Sequence, residues 1–323
     1  MKGRIETYQR WIEAEIQKQK FGKAPASLYE PIRYTMSLGG KRLRPMLTLL
    51  AYSLFRSDVR RIVPLATAVE IFHNFTLLHD DIMDDAPLRR GKPTVHSLWD
   101  VNTAILAGDV MQVKAYDILL GAGSRTLKSI FLAFNKCAVE VCEGQKSDID
   151  FEKRMKVSEK EYLEMIRKKT AVLLGFSLEL GAILAGASTR EQKALREFGI
   201  NIGIGFQLRD DLLDVYALTK NFGKQVGGDI VSNKKTFLLI KSLERARGAE
   251  GRRLRSWLSR SKFNKREKVT AVTAIYDRLR VRNLTERKID EFFSKGFRQL
   301  TAVRSGKKGN LIHFADSLIT RQS

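Results

Sequence analysis

Aspartates form the clearest chemical pattern in this sequence. Two stretches, LLHDDIMD at 77–84 and QLRDDLLD at 207–214, share the spacing DDxxD at the end of an apolar run. Their aspartates are Asp80, Asp81, Asp84, Asp210, Asp211 and Asp214. Like charges one helical turn apart repel each other, so a helix that carries them needs a compensating cation. All-oxygen ligands indicate Mg²⁺ before Ca²⁺, with water and substrate phosphate completing the shell.

We call residues 80–84 the first motif and residues 210–214 the second motif. One such motif alone is most often a solvated helix end. Here each of two copies directly follows an apolar run, and this arrangement favours metal binding. On facing helices the two motifs would hold several Mg²⁺ ions around one polyphosphate. Asp85 lies outside the spacing and is assigned no metal.

Basic residues near the aspartates could hold phosphate directly. Arg89 and Arg90 follow the first motif, and GGKRLRP at 39–45 places basic residues after a glycine pair. RKKTA at 167–171 precedes an apolar run, and FGKQVGGDIVSNKKT at 222–236 follows the second motif. Arg binds phosphate bidentately, whereas Lys acts as a point charge. GGKRLRP lacks the P-loop spacing, and alone it could be a helix start with solvated charges.

Helices are predicted to position all of these residues. Apolar residues recur at helical spacing, as in Val69, Phe72 and Leu77, while alternating strand-like runs are scarce. Clusters of glycine or proline separate roughly ten predicted helices. The apolar run at 171–187 is short for a membrane span and contains Glu179, so we predict a buried core helix there. The predicted fold class is all-α.

The composition is that of a globular protein rather than a disordered one. The chain has 323 residues, 43% hydrophobic and 29% charged, enough for one large domain or two ordinary ones. Its formal net charge of +22 predicts attraction to phosphorylated substrates, nucleic acid or an acidic membrane surface. Cys137 and Cys142 fit neither a CxxC nor a zinc spacing, so we predict that both are reduced and buried in a cytosolic protein.

Together these motifs resemble those of the trans-isoprenyl diphosphate synthases, the polyprenyl synthetase family that includes farnesyl and geranylgeranyl diphosphate synthases. The resemblance covers nearly the whole chain. Its motifs, in family order, are GGKRLRP, FHNFTLLHDDIMDDAPLRRGKPTVH, the GD at 108–109, GQKSD, KKTA, GFQLRDDLLD and FGKQVGGDIVSNKKT. It implies a single domain over 1–323, an all-helical bundle around a central active-site cavity, a homodimer and a cytoplasmic location.

The implied reaction is the condensation of isopentenyl diphosphate with an allylic diphosphate by a Mg²⁺-dependent trans-prenyltransferase. The allylic diphosphate ionises while several Mg²⁺ ions, three with substrate bound, hold the leaving group. The double bond of isopentenyl diphosphate attacks the allylic cation, and a proton is then lost to the released diphosphate. The implied product is geranylgeranyl or farnesyl diphosphate, and the alternative is a longer-chain polyprenyl diphosphate.

The resemblance also implies roles for individual residues. All six motif aspartates are implied to bind metal, and the expected direct ligands are Asp80, Asp84 and Asp210. The residues implied to hold the allylic diphosphate are Arg89, Lys169, Gln207, Lys224 and Lys234. Those implied to hold isopentenyl diphosphate are Lys41, Arg44, His73 and Arg90. Lys169 and Thr170 are further implied to present main-chain or hydroxyl oxygens to the developing cation.

Two departures from the family pattern affect these roles. The sequence NKKT at 233–236 stands where many members have GKxT followed by proline, so Lys235 could substitute for Lys234. His73 stands where relatives often have Gln. A neutral imidazole can still donate one hydrogen bond, and the alternative is a packed histidine on an apolar helix.

Product length is predicted from the two residues that lie about one helical turn before the first motif, Phe75 and Thr76. In the family, bulky side chains at these positions form the floor of the product pocket. The pair predicts intermediate depth, with geranylgeranyl diphosphate favoured over farnesyl diphosphate. The alternative is that Phe75 faces a neighbouring helix and another residue sets the floor.

Other classes of protein fit the sequence less well. A class I terpene cyclase would lack GGKRLRP and the second motif, squalene and phytoene synthases use a DxxxD spacing, and a silent partner subunit would lose motif residues. The basic segment at 252–268 could bind nucleic acid or a membrane surface, but it has few aromatic residues for base stacking. A solvated basic face is the preferred interpretation. We expect no nucleic-acid partner and at most peripheral membrane contact.

Overall fold

The structure, a computed structural model, describes residues 2–217 and 227–319, and these residues are almost entirely helical. The α-helices are α1 (Lys2–Lys18), α2 (Ala26–Ser37), α3 (Leu43–Ser53), α4 (Val63–Met83), α5 (Val95–Leu98), α6 (Val101–Leu119), α7 (Ser124–Lys153), α8 (Glu159–Ile166), α9 (Val172–Ala185), α10 (Thr189–Tyr216), α11 (Gly228–Val231), α12 (Phe237–Arg245), α13 (Gly248–Ser259), α14 (Lys265–Arg278), α15 (Val281–Gln299) and α16 (Gly309–Ile319). The prediction of an all-α fold is confirmed.

The remaining regular elements are short. Two strands, β1 (Leu88–Arg89) and β2 (Lys92–Pro93), pair antiparallel. Turns of 3₁₀-helix occupy Val59–Ile62 and Leu300–Ala302, and a π-helical turn, Arg167–Ala171, joins α8 to α9. The described residues contain more helices than the roughly ten predicted, because single-turn helices such as α5 and α11 leave no periodic apolar pattern.

The chain divides into two compact units. The first unit comprises Met1–Ala138, Leu173–Gly199 and Leu300–His313. The second unit comprises Val139–Val172, Ile200–Gln299 and Phe314–Ser323. The first motif belongs to the first unit and the second motif to the second unit, so each motif is described within its own unit below. A single domain over 1–323 stays a prediction.

Helix α4 is the central helix of the first unit. It packs against α6, α3 and α1, and its Ile71 and Phe72 are 0% and 1% exposed. Within the described residues, one helical segment, Val59–Met83, is long and apolar enough to cross a membrane, but its apolar stretch is mostly buried. This burial is typical of a core helix. Because α4 ends at Met83, its packing fixes the position of the first motif.

In the second unit, α12, α14 and α15 pack against one another, α12 also contacts α8, and α11 contacts α14. Side chains cap the starts of three of these helices. Ser158 and Glu161 form a reciprocal capping box at α8, Thr236 caps α12, and Asn264 caps α14. Two of these caps fix helices next to the basic stretches, since 167–171 directly follows α8 and 233–236 directly precedes α12.

Two predictions about burial can be compared with the structure. The run at 171–187 is confirmed as a core helix, since α9 is buried along most of its length and its Glu179 lies 3.7 Å from Arg196. Cys137 is buried as predicted, but the predicted burial of Cys142 is wrong. That position of α7 faces solvent, and the spacing of two cysteines gives no indication of which helix face is covered.

Candidate active site

The first motif lies at the C-terminal end of α4. Asp84 directly follows the last helical residue, and its N–H donates to the Asp80 carbonyl at 2.9 Å, so the two residues are one helical turn apart. Asp81 is 6% exposed, Asp80 is half-buried and Asp84 is exposed. Asp80 and Asp84 are therefore accessible to solvent, whereas the carboxylate of Asp81 is held inside the protein.

Arg89 binds the buried carboxylate of Asp81. Its Nε lies 2.8 and 3.1 Å from the two carboxylate oxygens of Asp81, its Nη2 also donates to Asp81, and Nη2 is 3.6 Å from Asp80 Oδ2. Burial raises the pKa of Asp81, and Arg89 opposes that rise. Arg89 thus compensates the charge of the first motif, and its contact with the allylic diphosphate stays a prediction.

A tight hairpin returns Arg89 to α4. The two residues between β1 and β2, Arg90 and Gly91, have φ of 54° and 73°. Positive φ at both central positions is the feature of a type I′ turn, which favours closely paired strands. The two-residue strands could not be recognised from the sequence, because they are too short to show alternation.

A cluster of positive charge surrounds His73 in the first unit. Burial lowers the pKa of His73 well below its ordinary value, and nearby arginines lower it further, so the imidazole is neutral. The arginines, in decreasing order of effect, are Arg44, Arg90, Arg89 and Arg42. Burial also lowers the pKa of Arg44 to about 10, and its Nε has no hydrogen-bond partner among the described residues. An anion beside Arg44 would supply the missing acceptor.

Arg42 has a structural role that sequence reasoning missed. It is 3% exposed, and its guanidinium lies 3.0 Å from Glu13 and 3.0 Å from Glu70. Its neighbour Lys41 is exposed, and Arg90 donates to a carbonyl of the glycine pair at 39–40. The basic residues of GGKRLRP are therefore not equivalent: Arg42 holds α3 to the fold, while Arg44 offers an unsatisfied donor.

The second motif lies near the end of α10, and its middle aspartate is also buried. Asp211 is 4% exposed and accepts hydrogen bonds from the Tyr162 hydroxyl and from Gln207 Nε2, the latter at 3.0 Å. Thr170 Oγ1 donates to Gln207 Oε1 at 3.2 Å, which extends the network to the π-helical turn. Burial, together with the neighbouring carboxylate of Asp229, raises the pKa of Asp211 to about 7.

Tyr162 is a site residue that sequence reasoning missed. It is 1% exposed, and burial raises the pKa of its hydroxyl well above the ordinary value. The hydroxyl therefore stays protonated and donates a hydrogen bond to Asp211. In the sequence it is one more apolar-face residue of a helix. Its contact with a residue 49 positions away has no local signal.

Lys169 and Thr170 lie in the π-helical turn, a widened helical geometry that is frequent at functional sites. Lys169 Nζ donates to Asp148 at 2.7 Å. Two glycines allow close approach to this turn. A Cβ on Gly144 would lie 2.2 Å from the Lys169 backbone nitrogen, and a Cβ on Gly203 would lie 2.7 Å from Ala171. The GQKSD stretch at 144–148 thus contributes a close helix contact and a carboxylate for Lys169.

Asp214 and Lys234 are linked through the start of α11. Asp214 Oδ2 accepts the N–H of Asp229 at 2.9 Å, and the N–H of Lys234 donates to the Asp229 carbonyl at 2.9 Å. The charge of Lys234 lowers the pKa of Asp211, whereas Lys235 Nζ donates to a carbonyl of its own loop at 3.2 Å. This arrangement favours Lys234 over Lys235 as the lysine that acts beside the second motif.

The donor atoms of the two motifs fit a hard cation whose shell is completed by water and phosphate. Within residues 2–217 and 227–319, no three His, Cys, Asp or Glu side chains come together closely enough to hold a metal ion by themselves. Asp80, Asp84 and Asp210 are at least partly exposed and offer only oxygen, as Mg²⁺ prefers. The metal assignment stays a prediction. Lys224 lies outside the described residues.

Phe75 belongs to an aromatic cluster next to the first motif. It is 8% exposed, and its ring centroid lies 5.4 Å from that of Phe72 and 4.8 Å from that of His79. Thr76 is half-buried, and its hydroxyl donates to the His73 carbonyl of the same helix at 2.8 Å. Their role as the pocket floor stays a prediction.

Known proteins resemble this chain along its whole length. A family model described as polyprenyl synthetase matches residues 25–276. A protein named geranylgeranyl pyrophosphate synthase from Geoglobus acetivorans is 39% identical over 325 residues, which cover 99% of this chain and 98% of that protein. A geranylgeranyl diphosphate synthase from Methanosarcina mazei is 45% identical over 237 residues, covering 72% and 73% of the two chains. The crystal structure of geranylgeranyl pyrophosphate synthetase from Pyrococcus horikoshii superposes with a TM-score of 0.91 at 33% identity, covering 99% and 98%.

Proposed function

This chain belongs to the polyprenyl synthetase family and is a trans-prenyltransferase, and we propose that it condenses isopentenyl diphosphate with an allylic diphosphate. The product is a short-chain trans-prenyl diphosphate, geranylgeranyl or farnesyl. The observation that carries the proposal is that two DDxxD motifs each end an apolar helix, with cationic side chains beside both. That combination suits a diphosphate leaving group and an apolar product.

We assign the accessible aspartates, Asp80, Asp84 and Asp210, to Mg²⁺, with three ions when substrate is bound. Bound Mg²⁺ would stabilise the negative charge that develops on the departing diphosphate. Asp81 and Asp211 are buried and hydrogen-bonded within the protein. We therefore assign their carboxylates to holding the motif backbone in position rather than to binding metal. Asp214 shares features of both groups. It is half-exposed, like the proposed ligands, and it also accepts a hydrogen bond from a backbone N–H of α11, like the supporting aspartates.

The chain's own cations hold the two substrates. Arg44 offers an unsatisfied donor and the neutral His73 one hydrogen bond to the diphosphate of isopentenyl diphosphate, with Lys41 and Arg90 as the outer cations. The allylic diphosphate is assigned to Arg89, Lys169, Gln207, Lys224 and Lys234. Fixed positive charge placed where negative charge develops lowers the barrier to ionisation.

We assign Thr170 to face the developing allylic cation. Its hydroxyl donates its proton to Gln207, so the oxygen lone pairs stay available. We assign the main-chain oxygens of the π-helical turn to the same role. The cation requires an apolar, water-free surrounding, because water would otherwise quench it to an alcohol.

A homodimer is supported by an apolar stripe on the first unit. Leu106 and Val113 on α6 and Leu120, which directly follows α6, are spaced at intervals of seven residues, and they are 56%, 67% and 56% exposed. Leu132 on α7 is 65% exposed. Exposed apolar surface of this kind marks interaction sites. A Val113→Glu variant should run as a monomer by light scattering after size-exclusion chromatography; a monomeric wild type would contradict the proposal. We further propose a cytoplasmic location.

Product length is tested at the aromatic cluster. Phe75→Ala should shift the product mixture towards longer chains, because it removes bulk one helical turn below the first motif. Phe131→Ala, on a half-exposed ring of α7 that stacks on Tyr116, is the control and should leave the mixture unchanged. An unchanged mixture from Phe75→Ala would refute its place in the pocket floor.

The enzyme assignment is tested by incubation with isopentenyl diphosphate, each allylic primer in turn and Mg²⁺, followed by chromatography of the dephosphorylated products. We expect elongation of at least one primer to a product of fifteen to twenty carbons, that is, about three to four isoprene units, and loss of all product when EDTA removes the metal. Failure to elongate any primer would contradict the assignment.

A further inference from the structure

Lys268 is a fully buried lysine of the second unit that the proposed mechanism does not use. It is 0% exposed on α14, and its ammonium donates to the Val231 carbonyl at 3.0 Å and to Asn233 Oδ1 at 2.7 Å. The ammonium also lies 4.2 Å from the centroid of the Phe263 ring, a cation–π distance. Burying a lysine is costly unless its donors are satisfied. Its two hydrogen bonds are to the last residue of α11 and to the turn that precedes Lys234.

Asn233 shows why that loop needs a support. Its φ is 57°, in the left-handed region that Asn tolerates better than most residues. Both polar atoms of its side chain make hydrogen bonds. Oδ1 accepts from Lys268, and Nδ2 donates to the Leu258 carbonyl at 3.1 Å. The side chain therefore ties this turn to the end of α13 and to α14 at once.

The next residue along the chain is Lys234, and the loop is fixed on its other side by the second motif. Asp214 holds the N–H of Asp229 at 2.9 Å, and the Asp229 carbonyl accepts the N–H of Lys234 at 2.9 Å. The backbone that carries Lys234 is thus held between Asp214 at one end and Lys268 with Asn233 at the other. Because the charge of Lys234 acts on Asp211, the backbone position decides where that charge lies.

We propose that Lys268 is a positioning residue that, through Asn233, fixes the backbone before Lys234 so that the Lys234 ammonium meets the allylic diphosphate. The inference rests on the function proposed above and deepens it. Lys268 itself touches no substrate.

The variant Lys268→Met keeps the length of the side chain but removes the ammonium. We expect the KM for the allylic diphosphate to rise about tenfold, as for loss of one positioned charge contact, while the KM for isopentenyl diphosphate stays within about twofold. Asn233→Gly should give the same split, because Gly adopts positive φ but offers no side-chain acceptor. The double variant should be no worse than the more affected single variant, since both act through one contact.

The matched control is Lys265→Met, which removes an exposed lysine from the first turn of the same helix and should change neither KM. A Lys268→Met protein with a lower melting temperature but both KM values unchanged would overturn the inference and leave only a role in stability. If Lys268→Met does not fold, Asn233→Gly decides by the same KM split.

Lys234→Gln separates this inference from the function on which it rests. If Lys234→Gln raises the KM for the allylic diphosphate and neither Lys268→Met nor Asn233→Gly does, the positioning role fails alone. If Lys234→Gln leaves that KM unchanged, the assignment of Lys234 fails, and the positioning role fails with it. If the wild-type protein elongates no primer, the proposed function itself fails.

Discussion

The first and second motifs share one spacing but hold their middle aspartate in opposite ways. Asp81 is paired with a guanidinium, that of Arg89, whereas Asp211 accepts hydrogen bonds from two neutral groups, those of Tyr162 and Gln207. Burial raises the pKa of both carboxyls. Arg89 opposes the rise at Asp81, whereas at Asp211 the carboxylate of Asp229 adds to it and the pKa reaches about 7.

This difference indicates how each motif tolerates its own charge. The first motif carries a built-in cation, Arg89, which opposes the rise in the pKa of Asp81. The second motif relies on neutral donors and on Lys234, so its middle carboxyl keeps a proton more readily until a metal ion arrives. Both motifs offer partly exposed aspartates as proposed metal ligands. The two motifs therefore differ in the groups that hold the middle aspartate and not in the proposed ligands.

The largest expected effect is a loss of activity in a variant of Asp84, an exposed motif aspartate, compared with a variant of its neighbour Asp85. Asp84→Asn should lower kcat/KM by about a hundredfold or more, as for loss of a group that stabilises charge in the transition state. Asp85→Asn is the matched control, because Asp85 is also exposed, lies outside the motif, and has φ of 47°, which Asn tolerates. Equal losses in the two variants would show that general acidity, not the spacing, matters.

The second prediction concerns pH. The Asp211 pKa rises from 3.8 to about 7 on folding without metal. Between these two values the folded protein keeps a proton that the unfolded chain releases. The contribution of Asp211 to stability is therefore fully present below pH 3.8 and is lost as the pH rises towards 7. Relative to Asp211→Asn, the metal-free wild type should lose about 1 kcal/mol of unfolding free energy per pH unit there.

Denaturant unfolding at several pH values measures this slope. Asp81→Asn serves as the comparison for the first motif, and it should show a smaller difference from wild type because Arg89 opposes protonation of Asp81. Added Mg²⁺ should flatten the Asp211-dependent slope, since a metal ion favours the carboxylate. A slope that is equal for wild type and Asp211→Asn would contradict the contrast between the motifs.

The third prediction tests the cation of the first motif. Arg89→Met leaves the Asp81 carboxylate buried without its guanidinium, so the free energy of unfolding should fall by about 1–3 kcal/mol. Adding Asp81→Asn should restore part of this loss, because the unpaired charge is removed. Thermal denaturation of both single variants and the double variant gives the coupling. Additive losses would mean that the pair does not stabilise the fold.

The smallest effect is expected at Tyr162. Tyr162→Phe removes one neutral donor while Gln207 remains, so stability should fall by about 1 kcal/mol. The pKa of Asp211 should rise further, because the lost hydrogen bond favoured the carboxylate. Carbon-detected NMR of the metal-free protein follows this titration. Tyr216→Phe, which removes a hydroxyl bonded to Asp277 instead, is the control and should leave the Asp211 titration unchanged.

The parts of the site that could be predicted are those that depend on local sequence spacing. The i, i+4 pattern predicted that Asp80 and Asp84 are one helical turn apart, and the apolar run at 171–187 predicted the core helix α9, because both depend on neighbours in sequence. Which residues lie behind the motifs was not predictable. The pairing of Arg42 with Glu70 and of Tyr162 with Asp211 joins residues 28 and 49 positions apart, and only tertiary packing brings them together.

The same limit explains the predictions that were wrong or stayed open. The burial of Cys142 depends on which face of α7 is covered, and two cysteines carry no periodic signal for that. The preference for Lys234 over Lys235 depends on where the loop turns, which is set by Asp229 and by the left-handed conformation of Asn233. Such backbone positions depend on contacts with several helices, so they cannot be predicted from one stretch of sequence.

We propose that the accessible aspartates of both motifs bind the metal ions while the middle aspartates support them. The most direct measurement is the number of Mn²⁺ ions bound in the presence of a non-ionisable allylic thiolodiphosphate, counted by electron paramagnetic resonance titration. We predict about three for wild type and Asp85→Asn, as for ions that share carboxylates and phosphate oxygens, and fewer for Asp84→Asn and Asp210→Asn. An unchanged count in Asp84→Asn and Asp210→Asn would contradict the claim.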